Sequence, residues 1–285
     1  MTTAKSEATR FVVLQLLLAL ATTAVAVAEG VDVRRIEEAS ALGQAATYGT
    51  ALTPLIAAFV ARRGFKGWGF RRTSWRTLAV AWAVGVAPVL VAYAAVWATG
   101  VGRFTGDAGT AALAGTVLVL PYVLLALAED IGWRGLLVTR LAEVARPRTV
   151  YLVSGFLWSL SHVWLLLFLG GTPEGVAPLF AIAMFTIGTT AFGTVLASMQ
   201  LRWGMWPGVV AHAAFNAVMY HFADASTAST GSATDWIATE TGLGYAVAMP
   251  LVAVAWFAVA AAHQRRTSGT GDAARHQQEL IRRSS

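Results

Sequence analysis

Eight apolar runs divide this chain, at residues 11–28, 45–61, 77–98, 109–129, 149–169, 178–199, 207–222 and 243–262, with short polar segments between them. Each approaches or reaches the ~20 residues that a helix needs to cross a ~30 Å hydrocarbon core. Backbone groups in lipid have to bond within their own segment, so such runs are expected to be helices. The pattern predicts an all-α, polytopic helical membrane protein with about eight transmembrane helices.

The polar segments alternate in charge. Segment 62–76 carries Arg62, Arg63, Lys66, Arg71, Arg72 and Arg76, and the next segment on the same side carries Arg134, Arg140, Arg146 and Arg148. The C-terminal tail adds Arg265, Arg266, Arg275, Arg282 and Arg283, whereas Glu29, Asp32, Glu37, Glu38, Asp224, Asp235 and Glu240 fall on the other side. The positive-inside rule then puts the basic segments and both termini in the cytoplasm. It also accounts for the net charge of +6 and the pI of about 10.2, since the basic residues lie between spans and form no polar nucleic-acid-binding domain.

Composition agrees. The chain is 56% hydrophobic and 13% charged, with 11 Trp and a mean hydropathy of +0.61, which a water-soluble domain of this size has difficulty hiding. Its richness in Ala, Val, Gly and Arg points to a high-GC bacterium, and hence to a bacterial plasma membrane. The first run follows Lys5 and Arg10 and ends in Ala26-Val27-Ala28, like a signal-peptide cleavage site, but its 18 residues favour an uncleaved anchor.

Three parts follow: residues 1–110 with about three spans and the basic loop 62–76, a central part 111–222, and 223–285 with an external loop, the last span and a basic tail. Phe65, Trp68, Phe70 and Trp75 interleave with arginines in loop 62–76, which suits an anionic lipid interface. Segment 223–241, rich in Ser, Thr, Ala and Gly, reads as a solvated connection, and the tail as disordered. In span six, Gly188 and Gly193 with Thr186, Thr189, Thr190 and Thr194 form a small-residue face for close helix packing.

Against this background three ionisable residues stand out: Glu129, His162 and His212, on three separate apolar runs. Ionisable groups within a membrane are costly and by default mark function. Asn216 follows His212 by four residues and shares its helix face. Asp130 beside Glu129 gives paired carboxylates, and Arg134 can neutralise one while the other takes a proton. A glutamate in such a pocket is suited to act as a general base. Cysteine is absent, which excludes thiolate ligands and a cysteine nucleophile. Ser159 and Ser161 read as interhelical hydrogen-bonders, and Trp133 and Trp158 as packing and interface anchors.

The ordered set Glu-Asp-x-x-x-Arg, Trp-x-x-x-His and His-x-x-x-Asn resembles the CPBP (ABI) family of intramembrane proteases, which includes type II CAAX prenyl endopeptidases and bacteriocin-processing or immunity proteins. The resemblance spans roughly residues 120–222. It departs from the usual pattern in having Asp130 where a second glutamate is usual, and Trp158 where Phe is frequent. It implies Glu129 as the base activating water, His162 as a holder of that water, His212 and Asn216 as completing the site, and Asp130 and Arg134 as supporting residues. Two mechanisms stay open: a zinc ion (Zn2+) on Glu129, His162 and His212, or a metal-free glutamate mechanism.

The resemblance implies a membrane-associated or lipidated peptide substrate and lipid partners, with no nucleic acid. An immunity or scaffold protein binding through the same cavity is an alternative. A proton-coupled transporter is another, although it calls for broken helices or matching repeats, and the chain shows neither. Depth presents one conflict. Glu129 ends span four, while His162 lies thirteen residues, or ~20 Å at the helical rise, from the start of span five. Convergence therefore requires one of these spans to be displaced, and a cavity opening to the cytoplasm is expected.

Overall fold

The computed structural model describes residues 3–62 and 66–283, with side chains described to residue 262 and at Arg265. Arg63 and Phe65 of the basic loop lie outside the described residues. In chain order the elements are α1 (Thr3–Ala28), α2 (Ala41–Gly49), α3 (Thr53–Ala61), α4 (Trp75–Ala98), β1 (Gly102–Phe104), α5 (Ala108–Gly115) and α6 (Val119–Asp130). A π-helical stretch, Ile131–Val138, leads into α7 (Thr139–Ala142), α8 (Pro147–Leu160), α9 (Val163–Phe168), α10 (Pro178–Trp203) and α11 (Met205–Val218). A second π-helical stretch, Met219–Asp224, precedes β2 (Thr227–Ser229), α12 (Ser232–Ile237) and α13 (Leu243–Arg283).

Local chemistry sets several of these boundaries. Ser74 and Asp107 cap α4 and α5 by accepting from the backbone N–H of Thr77 and Thr110. Pro147 and Pro178 open α8 and α10, where no N–H is needed. The tail, expected to be disordered, continues the α13 backbone to Arg283, and its Ala, Gln, Glu and Arg residues are good helix formers.

Six helical segments among the described residues are long and apolar enough to span a membrane: Thr3–Ala28, Trp75–Ala98, Ala108–Ala142, Pro147–Phe168, Pro178–Trp203 and Leu243–Ala262. The chain is thus a polytopic all-α membrane protein. The two other expected spans are helical but segmented. Residues 45–61 break at the 3-10 turn Thr50–Leu52, ahead of Pro54. Residues 207–222 pass from α11 into π-helix at Met219. Nearly every residue of α11 is buried, so this helix meets protein on its faces and has less need of an apolar surface. The outer helices instead leave large apolar side chains bare, such as Leu124 at 71% and Leu179 at 79%.

Close approaches bring the central helices together. A Cβ on Gly193 would lie 2.5 Å from the Cα of Gly155, so α8 and α10 touch backbone to backbone, as the small-residue face of span six predicts. A Cβ on Gly85 would meet the carbonyl oxygen of Ala211 at 2.1 Å, which sets α4 equally close to α11.

Both connecting regions depart from expectation. Trp68 of the basic loop is fully buried, Gln200 Nε2 donates to its carbonyl at 3.2 Å, and Arg71 donates to the final carbonyls of α10. Trp75 and Phe70 remain exposed, so part of the loop plugs the bundle and part faces outward. Segment 223–241 is not a solvated strap. β2 pairs antiparallel with β1 in the register Gly102↔Ser229, Arg103↔Ala228, Phe104↔Thr227, and Trp97 Nε1 donates to Thr227.

Candidate active site

The depth conflict is resolved by the length of the fourth segment. It does not end at Glu129 but runs on to Ala142, thirteen residues further, while His162 lies fifteen residues beyond Pro147 at the start of α8. Measured from the same end, the two side chains therefore stand at similar height. α11 runs antiparallel to this segment, with Met205 beside Gly135 and His212 beside Asp130. Glu129, His162, His212 and Asn216 all line one cavity of about 400 Å³.

Trp158 is at the centre of the polar contacts. Its indole N–H donates to Glu129 Oε2 at 3.1 Å, and its carbonyl accepts from His162 Nδ1 at 2.9 Å. Its ring meets both histidines edge-on, at centroid distances of 5.7 Å for His162 and 5.1 Å for His212. The Arg134 guanidinium lies 3.8 Å from the ring centroid, in cation–π contact. Of the packing and interface roles expected for Trp158, the structure shows packing: it is buried in the core, where it also touches the candidate machinery.

Because a carbonyl only accepts, the contact to Trp158 places the proton of a neutral His162 on Nδ1 and leaves Nε2 as an acceptor. Nε2 stands 4.0 Å from Glu129 Oε2. Two acceptors at that separation call for a donor between them, and a water with one hydrogen toward each satisfies both.

Asp130 and Arg134 form an ion pair at 3.0 Å, with both side chains almost wholly buried. The same Asp130 oxygen faces His212 Nδ1 at 3.5 Å. The chain enters π-helix directly after Asp130, and Arg134, four residues on, shares the face that holds Asp130 and Trp158. Such π-helical insertions recur at functional sites. Apolar periodicity does not reveal one, since all eight residues of the stretch are buried.

Glu240 was missed. It belongs to the segment read as solvated, yet it lines the same cavity and accepts a hydrogen bond from Tyr220 Oη at 2.8 Å. Thr239 before it has φ of 67°, a left-handed conformation that is costly for a branched residue. Tyr93 Oη accepts from the Thr239 N–H at 2.9 Å and donates to Asp224, which anchors the turn. Burial raises the Glu240 carboxyl above its ordinary value. Only a tertiary contact distinguishes this glutamate from a surface one.

The direction of the cavity also differs from expectation. Its lining reaches Val33 and Glu240, in segments on the acidic side, and no described residue of 62–76 or 134–148 lines it. On the basic side the fourth segment continues to Ala142 and Trp68 is buried. Among the described residues no group of three His, Cys, Asp or Glu is placed to hold a metal ion. Glu129, His162 and His212 are not gathered into such a group in this geometry.

Residues 111–218 match the family described as type II CAAX prenyl endopeptidase Rce1-like. The matched segment contains Glu129, Asp130, Arg134, His162, His212 and Asn216, and it ends before Tyr220 and Glu240. The match supports assignment to the CPBP/CAAX protease family. With the membrane-length helices, it supports an intramembrane CAAX protease in general. No curated protein matches the chain.

Proposed function

We propose that this chain is an intramembrane endopeptidase that hydrolyses a peptide bond of a membrane-associated or lipidated protein with water activated by Glu129. The observation that carries the reading is the meeting of Glu129, His162, His212 and Asn216, from three separate segments, in one cavity of about 400 Å³. Its remaining wall is largely apolar, including Phe185, Phe192, Phe215 and Leu166, which suits an apolar peptide or lipid group better than a polar metabolite.

In this mechanism Glu129 and His162 hold a water across their 4.0 Å gap. As the water oxygen bonds to the scissile carbonyl carbon, Glu129 takes its proton. The Asn216 amide stabilises the oxyanion, and His212, which faces Asp130 through Nδ1, adds to it when both of its ring nitrogens carry hydrogen. Collapse breaks the C–N bond, and the proton on Glu129 passes to the leaving amine, so one water is consumed for each peptide bond. Arg134 stays paired with Asp130 and leaves Glu129 as the free carboxylate. Exposed Trp75 and Phe70 are assigned to the lipid interface, in what is proposed to be a bacterial plasma membrane.

The test is cleavage of a membrane-peptide library in proteoliposomes by wild type, Glu129→Gln and His212→Ala, with and without chelator and zinc rescue. Loss of cleavage in both variants with no chelator effect is the expected result. Chelator loss restored by zinc would overturn the metal-free route, and no cleavage by folded wild type across the library would overturn the hydrolase reading.

A further inference from the structure

At the basic end of the bundle α4 begins, α10 ends and the apolar part of α13 ends, and a groove of about 470 Å³ lies among them. α13 packs against both other helices. Thr73, just ahead of α4, donates to the Trp203 carbonyl at the end of α10 at 3.5 Å, which ties the two helix ends together. Arg76 in the first turn of α4 and Arg202 in the last turn of α10 thereby line the same groove.

The rest of the lining is mostly apolar. Exposed Val80 and Val259 open it toward the lipid-facing surface. Trp256 meets the Trp203 ring edge-on at a centroid distance of 5.4 Å and donates its indole N–H to Ser198 at 2.7 Å, so its one polar atom is engaged and the ring serves as an apolar wall. No Asp or Glu lines the groove. Among the described residues neither arginine has a carboxylate partner; Arg76 lies 5.7 Å from the Trp75 ring centroid and Arg202 6.0 Å from that of Trp203.

The helices themselves do not call for both charges. A cation suits the C-terminal end of α10, but Arg71 already donates to the carbonyls of Gln200 and Leu201 there. Arg76 stands at the N-terminal end of α4, where the helix dipole disfavours a cation and favours an anion. The positive-inside rule accounts for arginine on this side of the bundle, but not for two from separate helices above one apolar floor.

We propose that this groove binds one anionic glycerophospholipid, with its phosphate between Arg76 and Arg202 and an acyl chain along Val80, Trp256 and Val259. Guanidinium forks match phosphate oxygens in pairs, and basic pockets between membrane helices hold anionic headgroups in this way. A zwitterionic lipid would bring its own ammonium toward two arginines with no carboxylate in the groove to receive it. The site is saturable and holds one molecule, unlike the diffuse interface on which Trp75 and Phe70 are exposed, and it stands whether or not the chain is a hydrolase.

The experiment is native mass spectrometry of the full chain released from detergent micelles, titrated with dioleoyl-phosphatidylglycerol or with dioleoyl-phosphatidylcholine. Wild type is expected to retain one phosphatidylglycerol at least tenfold more tightly than phosphatidylcholine. Arg76→Gln and Arg202→Gln should each weaken it by about tenfold, the scale of one charge-assisted hydrogen bond. Arg72→Gln removes an exposed arginine of the same basic segment that does not line the groove, and should change nothing. Ala260→Phe fills the groove without altering charge and should weaken binding as much as either arginine variant, with an unchanged melting temperature showing that the fold persists.

Equal retention of the two lipids would overturn the proposal. So would an Arg72→Gln loss as large as that of Arg76→Gln, which marks attraction to the whole basic face, or full binding by Ala260→Phe, which puts the lipid elsewhere.

Discussion

Trp158 and Glu129 are joined by a hydrogen bond of 3.1 Å from the indole nitrogen to a carboxylate oxygen, across two helical segments and 29 residues of sequence. The same ring carries Arg134 on its face and meets two histidine edges. Trp158→Phe keeps the ring and removes the donor. A hydrogen bond to a charged group contributes about 1.5–3 kcal/mol, so kcat should fall by about ten- to a hundredfold while the melting temperature in nanodiscs hardly moves. Trp158→Ala removes the platform as well and should cost about 3–5 kcal/mol of stability. Equal melting temperatures for the two variants would contradict this division.

The Asp130–Arg134 pair is buried on both sides, so its partners depend on each other. Arg134→Met strands a carboxylate and should destabilise the fold by about 3–5 kcal/mol. The double variant Asp130→Asn with Arg134→Met should recover most of that loss, because it strands no charge. Thermal unfolding of the four proteins forms the cycle, and additive losses would show that the pair is not a coupled unit.

Much of this was legible in the chain, and the limits have physical causes. The membrane class and the chemical residues were evident because charge in an apolar run is conspicuous at any depth, as at Glu129, His162 and His212. Depth was not legible. The helix that carries Glu129 continues through Asp130 and Arg134, a polar stretch that resembles a membrane exit and is in fact a buried ion pair inside a π-helical turn. Glu240 was illegible for the opposite reason. Its sequence neighbours Thr239 and Thr241 are those of a surface loop, and only the Tyr93 and Tyr220 contacts draw it inward.

Helix contact through glycine gives a third expectation. Gly193 faces Gly155 with no room for a Cβ, so Gly193→Val forces α8 and α10 apart. Overpacking of this kind costs about 1–3 kcal/mol. Because α8 leads directly to His162, catalysis should fall further than stability alone explains. Cleavage rates measured well below the melting temperature separate the two effects, and full activity there would show that the close contact does not position His162.

A fourth expectation concerns pH at the cavity mouth. The side chain and backbone N–H of Arg34 both donate to Asp32, which holds its carboxyl down at about 2 instead of 3.8. A depressed carboxylate contributes stability that is complete above the unfolded value and is lost as pH falls through the folded one. The turn bearing Val33 should therefore hold to about pH 4 and loosen from there toward pH 2. Pepsin cleavage between residues 29 and 40 reads this at low pH, and Asp32→Asn should show raised trypsin sensitivity at Arg34 and Arg35 even at neutral pH. Unchanged cleavage in that variant would remove Asp32 from the account.

Glu240 gives the last expectation, in which stability and activity move in opposite directions. Burial raises its carboxyl, so the folded chain holds the proton more tightly than the unfolded one, and the group weakens the fold as pH rises. Thr239 adds the cost of a left-handed backbone beside it. A chain selected for stability alone has no use for either feature. Glu240→Gln keeps the shape and removes the charge, so its melting temperature should exceed that of wild type at pH 8 and converge with it as pH falls below the ordinary glutamate value of 4.5. If the carboxylate serves the cavity it lines with Glu129, the same variant should turn over substrate more slowly despite its greater stability. A variant more stable and equally active would mark Glu240 as an uncompensated charge with no part in the chemistry.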